Sequence, residues 1–461
     1  SYFSAVVFVG YAGQFGWKYG MASTWIGLGN AFIGSMLAWV VLGRRTRVMT
    51  QHLQSATMPE FFGRRYHSRS LKIAASVITF VFLIPYTASL YNGLSRLFGM
   101  AFDIPYVVCI VLMAALTAVY VIAGGYMATA INDFIQGIVM IVGICAIVVA
   151  VLRVNGGLMG SIQALSLVAD ESAPLNGAFS SFLGPDPVNL LGVVLLTSLG
   201  TWGLPQMVQK FYAIKDEQSI RKGAIISTLF AIVVAGGCYF LGGFGRLFLT
   251  SEQVAGQGYD AIIPAMLSTL SPFLIALTVV LVLSASMSTL SSLVIASSST
   301  MTIDFLKDNF IRNLDEKRQI LIMRVLIAVF IVISAVIAIV QYTSAFAFIA
   351  QLMSVSWGAL AGAFLAPFLY GLYWKGTTKA ACWVSFVFGV GLMLLNIFFR
   401  PHFPALLQSP LNAGAFSMLF SLVLVPVVSL FTKKPDRALV DAAFSCYDKK
   451  VEAPQWEVLG K

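Results

Sequence analysis

The sequence predicts an all-α polytopic membrane protein: two five-helix blocks of opposite topology, then two further C-terminal helices. Three observations predict it. Of 461 residues, 59% are hydrophobic and only 10% charged, whereas a soluble domain is about 25% charged and about half apolar. The apolar residues form continuous runs, such as 73–85, 107–124 and 135–152, and mean hydropathy is +0.87. Lys and Arg, finally, collect in alternate loops between the runs, as the positive-inside rule expects of a multi-pass chain.

The same arithmetic excludes other classes. Disorder requires high charge and few aromatics, and a membrane barrel requires short segments of alternating polarity; neither pattern is present. The net charge of +10 sits in short loops, where it signals topology rather than nucleic-acid binding. Five cysteines form no CxxC pair, and Cys109, Cys145, Cys238 and Cys382 lie inside apolar runs, as small buried hydrophobes do. The chain opens at Ser1 within an apolar stretch, without Met or a cleavage site, as expected of a fragment whose own N-terminus is missing.

A bilayer core of about 30 Å takes about 20 apolar residues per helix. On that ruler the segments are 1–19 (incomplete), 21–43, 73–97, 105–124, 125–152, 188–211, 222–249, 272–304, 319–341, 343–374, 378–399 and 411–431. The loop after the second carries Arg44, Arg45, Arg47, Arg64, Arg65, Arg69 and Lys72. Alternate loops downstream hold Lys215, Arg221 and Lys222, then Lys307 to Arg318, then Lys375 and Lys379, then Lys433, Lys434 and Arg437. The intervening loops carry Asp103, Asp170, Glu171, Asp186, Glu252 and Asp260 instead. The basic loops and the tail 432–461 are therefore expected in the cytoplasm, with the chain spanning a cell (plasma or inner) membrane.

Segments one and six differ from the rest. The first holds Gly10, Gly13, Gly16 and Gly20; the sixth holds Gly192, Gly200, Gly203 and Pro205. They begin two blocks of five, 1–152 and 188–374, and because five is odd the second block runs inverted. The segments at 378–431 are left over as two peripheral helices. Paired interrupted helices in inverted halves point to a transporter site at the midplane, against the alternative that the glycines only let helices approach closely.

Polar residues inside the apolar segments narrow the chemistry. Asp133 is read as the one acidic residue well inside a segment; such a carboxylate marks an ion pathway unless it reaches solvent near a helix end. In the eighth segment Ala285, Ser288, Thr289 and Ser292 fall at i, i+3, i+4 and i+7 on one helical face. Hydroxyls there, with carbonyls freed by a broken neighbour, would make a neutral oxygen cage suited to a monovalent cation. A serine-rich face bonding its own carbonyls is the alternative. His52, His67 and His402 lie in loops without metal-ligand spacing, and no Walker loop occurs, so no enzymatic constellation is expected.

Four stretches give the chain a resemblance over essentially its whole length. They are Ser4-x5-Gly10-x2-Gly13, Met58-Pro59-Glu60-Phe61-Phe62-Gly63-Arg64-Arg65, Tyr120-x3-Gly124-Gly125-x7-Asp133-x2-Gln136, and Gly200-x2-Gly203-x-Pro205-Gln206-x4-Phe211 followed by Arg221-Lys222-Gly223. Together they resemble the sodium:solute symporter family, which contains Na⁺/proline, Na⁺/pantothenate and Na⁺/glucose transporters, and are most similar to its proline-type branch. The resemblance implies a five-plus-five inverted repeat, LeuT-like, with the family's additional N-terminal helix missing from this chain. It also implies a Na⁺ site formed by the carbonyls of Phe3 and Ala285 and the hydroxyls of Ser288 and Thr289, with Asp133 on the Na⁺ exit route. A further first-helix carbonyl of the family would fall just before Ser1.

For the solute, the resemblance places Tyr86 as a lining residue, while the proline branch's Trp, Tyr and Asp are replaced by Thr197, Thr201 and Tyr2. That exchange implies a roomier, more polar pocket. Ser4, Trp202, Pro205 and Gln206 join the expected solute set on the two broken segments, and Gln351 reaches in from outside. The function expected is Na⁺-coupled symport of an amino acid or small carboxylate by alternating access. The partners are that solute, Na⁺ as coupling ion and membrane lipid, without nucleic acid. The alternatives are a proton-coupled carrier of the same fold, relying on Asp133, and an uncoupled channel or sensor derivative.

Overall fold

The structure, a computed structural model, describes residues 3–169, 175–307, 315–343 and 349–448, with the side chains of 123–133, 307, 316, 349–350 and 448 outside that description. Its described residues are helical, with no strand among them. Among the described residues nine helices are long and apolar enough to cross a bilayer, or ten when a bent pair is counted as one span.

The first run, residues 6–52, folds back on itself at Gly20. Gly20 adopts φ 60 and ψ −138, a combination open essentially to glycine, and a 3₁₀ turn over Gly20–Ser23 follows. Contacts on either side show the reversal. Going down α1 (6–19), Val7 O meets Cys238 and Trp17 O meets Arg246. Going down α2 (24–52), Gly27 lies on Gly236, Ser35 bonds Ser227, and Arg44 pairs with Glu217. One helix therefore runs parallel to the stretch 217–246 and the other antiparallel to it. Almost all of α1 is buried. Its glycines allow that: a Cβ added to Gly16 would stand 2.0 Å from the Gly242 carbonyl, so only a side chain of hydrogen permits this backbone approach.

Helix α3 (Met58–Arg65) starts where Thr57 Oγ1 accepts the Glu60 N–H, with Pro59 in its first turn. Helix α4 (Arg69–Phe102) carries Pro85 in its interior, directly before Tyr86. Helix α5 runs Tyr106–Val154. A turn at Gly124–Gly125 was the sequence expectation, and the backbone there is helical instead; glycine costs a helix only about 1 kcal/mol relative to Ala. Forty-nine residues at about 1.5 Å each still exceed twice a bilayer core of about 30 Å. Of its two apolar parts, Phe134–Val154 is long enough to cross a bilayer and Tyr106–Ile122 is shorter.

The sixth span is broken as its glycines and proline predict. Asp186 caps α6 (Pro187–Gly203), whose last turn tightens at Leu199–Gly203. Leu204 is extended, and α7 (Pro205–Tyr212) restarts at a 48° bend. Proline lacks the N–H to continue the ladder and disfavours helical geometry in the residue before it. Helices α8 (Glu217–Leu247), α9 (Pro272–Leu306), α10 (Lys317–Thr343) and α11 (Gln351–Tyr373) follow. α9 packs on α4 and α5, while α12 (Lys379–His402) and α13 (Pro410–Phe431) pack on α11 at the periphery.

The basic loops meet at one end of the molecule. Arg44 pairs with Glu217 at 2.9 Å and Lys375 with Asp441 at 2.6 Å. The tail helix α14 (Arg437–Phe444) lies against them: Arg45 stacks on Tyr373 and Tyr447, and Arg65 on Phe444. The described part of the tail, up to residue 448, is therefore docked.

Candidate functional site

Phe3 stands just ahead of α1, so its carbonyl precedes the helical ladder. The Ala5 N–H, a first-turn donor without an intrahelical partner, is taken by Ser286 Oγ at 2.9 Å. This ties the start of α1 to α9. One turn on, Thr289 Oγ1 lies 3.1 Å from Phe3 O and 3.1 Å from Ala285 O. A hydroxyl has one proton and can satisfy only one of two carbonyls at a time. Three oxygens therefore converge, buried, with a single hydroxyl proton among them besides the helical N–H that Ala285 O accepts; Ala285 and Thr289 are 0% exposed and Phe3 is 3%. Such a group suits a small monovalent cation, and no cluster of three His, Cys, Asp or Glu that would suit a divalent or transition metal occurs among the described residues.

Ser288, beside Thr289, lines a cavity of about 610 Å³ together with Phe3, Thr201 and Trp202. The break in the sixth span sets the last two: Thr201 Oγ1 donates to Ser198 O at 2.7 Å, and Trp202 Nε1 donates to Ile33 O at 3.1 Å. The cavity continues past Lys210 and Phe134 toward the basic-loop end. The Asp133 side chain lies outside the described residues, as does Tyr2; Phe134 and Gly137, next along α5, line this cavity.

A second cavity, of about 1220 Å³, opens at the other end between Gln14, Lys18, Asp186, Arg246, Gln351 and Arg400. Gln351 accepts from Arg400 at 3.5 Å. At its floor Ser354 shares a hydrogen bond of 3.0 Å with Tyr11. Below that, Tyr86 meets Trp357 edge-on at 5.8 Å, and its hydroxyl faces Ser4 and Tyr11. Both amide atoms of Gln206 are buried without a hydrogen-bond partner, and Ser4 Oγ and Tyr86 Oη are buried with none beyond each other. Buried polar atoms are normally satisfied by protein, water or ligand, so this layer between the two cavities has hydrogen-bonding capacity to spare.

The expected residues thus separate into groups. Phe3, Ala285, Ser288 and Thr289 come together, and Thr201 and Trp202 share a cavity with them. Ser4 and Tyr86 form the closed layer, Pro205 and Gln206 are buried at the restart of the sixth span, and Gln351 belongs to the outer cavity. Thr197 stands apart: its hydroxyl donates to Val193 O of its own helix at 2.8 Å, and it lines neither cavity.

One buried carboxylate was missed. Asp304, in the last turn of α9, is 0% exposed and stands 3.2 Å from Lys72 Nζ. Thr57 Oγ1 donates to it, and Glu60 lies 3.9 Å from the same ammonium. Asp133 is therefore not the one acidic residue inside a segment. The available signal was the pairing of Lys72, at the start of an apolar run, with Asp304, at the end of one.

The chain matches the model of the sodium:solute symporter family over residues 1–389. It is 26% identical over 427 residues to the osmoregulated proline transporter OpuE of Bacillus subtilis strain 168, covering 91% of this chain and 83% of that one. It is 28% identical over 432 residues to a sodium/proline symporter of Staphylococcus aureus, covering 90% and 80%. In structure it is similar to a Na⁺-coupled sialic acid symporter in a substrate-bound outward-open state, with TM-score 0.72 at 15% identity over 94% of this chain and 88% of that one. It is also similar to Mhp1, a nucleobase-cation-symport-1 family transporter in a closed conformation with bromovinylhydantoin bound, with TM-score 0.55 at 13% identity over 95% and 92%. These likenesses agree with a LeuT-like helical fold.

Proposed function

The chain belongs to the sodium:solute symporter family and so is a Na⁺-coupled carrier of a small organic solute; from that premise we propose which solute it takes and which residues move it. The solute is an amino acid or short carboxylate, imported with Na⁺ by alternating access across the cell membrane. The basic-loop end, with its docked tail, is the cytoplasmic one, as the positive-inside rule supports. Residues 1–152 and 188–374 act as the two inverted halves, with 378–431 peripheral.

The observation that carries the ion site is the Thr289 hydroxyl held 3.1 Å from two carbonyls, Phe3 O and Ala285 O. Na⁺ displaces that shared proton from between the carbonyls, and the hydroxyl turns its lone pairs to the ion. Ser288 adds its oxygen from the cavity side. This bridges α1 and α9, so cation binding favours the arrangement in which the start of α1 is held against α9. The solute sits in the layer of Ser4, Tyr86, Trp202, Pro205 and Gln206, with Thr201 at its inner edge. Gln351 meets it in the outer cavity. Half-helix termini at the broken span favour a carboxylate. The proline relatives support an amino acid; Thr201, which lines the inner cavity, supports a pocket wider than theirs. Asp133, ahead of the cavity-lining Phe134, takes the ion on its way to the cytoplasm.

Melting of the detergent-solubilised full chain tests this. Na⁺ should raise Tm, and proline, other amino acids or short carboxylates should raise it further only when Na⁺ is present; a ligand at about 100 times its Kd adds about 2.7 kcal/mol. Thr289→Ala should abolish the Na⁺ part. Equal shifts in choline and Na⁺, or an unaltered Na⁺ response in Thr289→Ala, would contradict the site.

A further inference from the structure

The tail from Arg437 to Tyr447 is laid on the molecule by one face. Val440, Ala443 and Cys446, three residues apart, are buried, and that spacing aligns side chains on α14 and the 3₁₀ turn after it. Its polar contacts reach two elements. On α2, Arg44 Nη2 donates to Tyr447 O at 3.4 Å and His52 Nε2 bonds Ala442 O at 2.9 Å. On α11 and the loop after it, Tyr447 Oη donates to Leu372 O at 2.8 Å and Asp441 pairs with Lys375. Arg45 of α2 closes the join. It donates to the same Leu372 carbonyl at 3.2 Å, and its guanidinium lies 4.0 Å from the ring centre of Tyr373 and 4.6 Å from that of Tyr447. The Asp441–Lys375 pair is exposed and contributes little; the hold comes from the buried face, the stacked guanidinium and the bonds to helix-terminal carbonyls.

These contacts join the two groups of helices that carry the cation oxygens. α2 forms a hairpin with α1, folded at Gly20, and Phe3 O stands at the start of α1. α11 packs on α4, and α4 packs on α9, which bears Ala285 and Thr289. The Thr289 hydroxyl links the two groups at depth, 3.1 Å from Phe3 O. The tail links them again at the basic-loop end, and one arrangement of the helices holds both ties.

We propose that the tail is a latch coupled to the cation site: docking of residues 437–447 across α2 and α11 and binding of Na⁺ favour the same arrangement of helices. The inference rests on the Na⁺ reading above. Such coupling is reciprocal, so the factor that a docked tail adds to Na⁺ affinity is the factor that Na⁺ adds to docking. Release of the tail frees the basic-loop ends of α2 and α11 to separate, and the start of α1 is then held less firmly against α9. The latch makes Na⁺ affinity depend on the state of the tail.

Cys446 supplies the readout, because its thiol is buried in the docked tail and it is the one cysteine of the tail. The full chain in detergent is treated with a water-soluble maleimide, in Na⁺ or in choline at equal ionic strength, and modification of Cys446 is followed by peptide mass. Na⁺ should slow it about fivefold or more. This effect is read on the unaltered chain, so it stands whatever a substitution does to folding. Phe444→Ala and Tyr447→Ala remove the rings against Arg65 and Arg45. Each should speed labelling about tenfold and weaken ²²Na⁺ binding about fivefold, while Arg437→Gln, at the exposed start of α14, should match the parent in both. Fast labelling of the parent in Na⁺ and choline alike would overturn the docked tail. Slow labelling that Na⁺ leaves unchanged or speeds, with both variants binding ²²Na⁺ as the parent does, would overturn the coupling; the ion site then stands if Thr289→Ala still loses binding. If Thr289→Ala binds ²²Na⁺ as the parent does, the ion site itself is wrong and the inference falls with it.

Discussion

A single hydroxyl proton shared between two carbonyls is the smallest unit of this site. Thr289 can satisfy Phe3 O or Ala285 O, each at 3.1 Å, but not both together. A cation would satisfy all three oxygens at once, which is why the proposed ion site is placed there. Thr201 makes a comparable point for the solute. Its hydroxyl is returned to Ser198 O at 2.7 Å, so it contributes little polarity to the inner cavity, and its main effect there is to be small. Thr201→Tyr should therefore narrow the range of accepted solutes while Na⁺ binding without solute is unchanged. Competition uptake across amino acids and short carboxylates, paired with Na⁺ binding to the carrier alone, checks this; an unaltered profile would remove Thr201 from the pocket. The shared face of Ala285, Ser288 and Thr289 was legible in the sequence, because i, i+3 and i+4 spacing sets it wherever that helix sits. Thr197 was not, because nothing local says whether a threonine hydroxyl points outward or back to its own i−4 carbonyl, as this one does.

The elements carry the next level of order. Broken α6–α7 was readable from glycine and proline, since those residues act on the backbone locally, whereas α1, expected to be interrupted at its glycines, is helical over 6–19. The tie between α9, α4 and α3 was not. Asp304 and Thr57 are 247 positions apart, and a carboxylate at the end of an apolar run looks solvent-bound until its partners are known. Here Lys72 at 3.2 Å and Thr57 make it a buried, paired charge, fastening the end of the cation-bearing helix to the start of α4. Removing one member of a buried pair leaves the other uncompensated, typically at about 3–5 kcal/mol. Asp304→Ala should accordingly destabilise the protein by about 3 kcal/mol, and Lys72→Met with Asp304→Ala should cost less than the sum of the single changes. Denaturation of the three variants in detergent measures this; additive costs would show that the two groups do not interact.

At the scale of the whole molecule, two cavities approach one buried polar layer from opposite ends. The outer one, of about 1220 Å³, ends at Ser354 and Tyr11; the inner one, of about 610 Å³, reaches Phe3 and Ser288. Between them Tyr86, Ser4 and Trp357 close the path. Alternating access needs a central site reachable from one side at a time, and the proposed cation site lies between the start of α1 and α9. Alternation of basic loops in the sequence is the ground for the proposed cytoplasmic end, where Arg44, Arg65 and Lys375 gather beside the described part of the tail. The size and position of the cavities were not readable, because they depend on how helices far apart in sequence lean on one another. The most direct test of Na⁺-coupled symport is uptake of radiolabelled proline, and of the best solute from the melting panel, into proteoliposomes of the full chain. An inward Na⁺ gradient should drive transient accumulation above the external concentration, collapsing when Na⁺ is equilibrated across the membrane and absent in Thr289→Ala. Accumulation driven equally by an inward proton gradient without Na⁺, or solute that only equilibrates whatever the Na⁺ gradient, would contradict it.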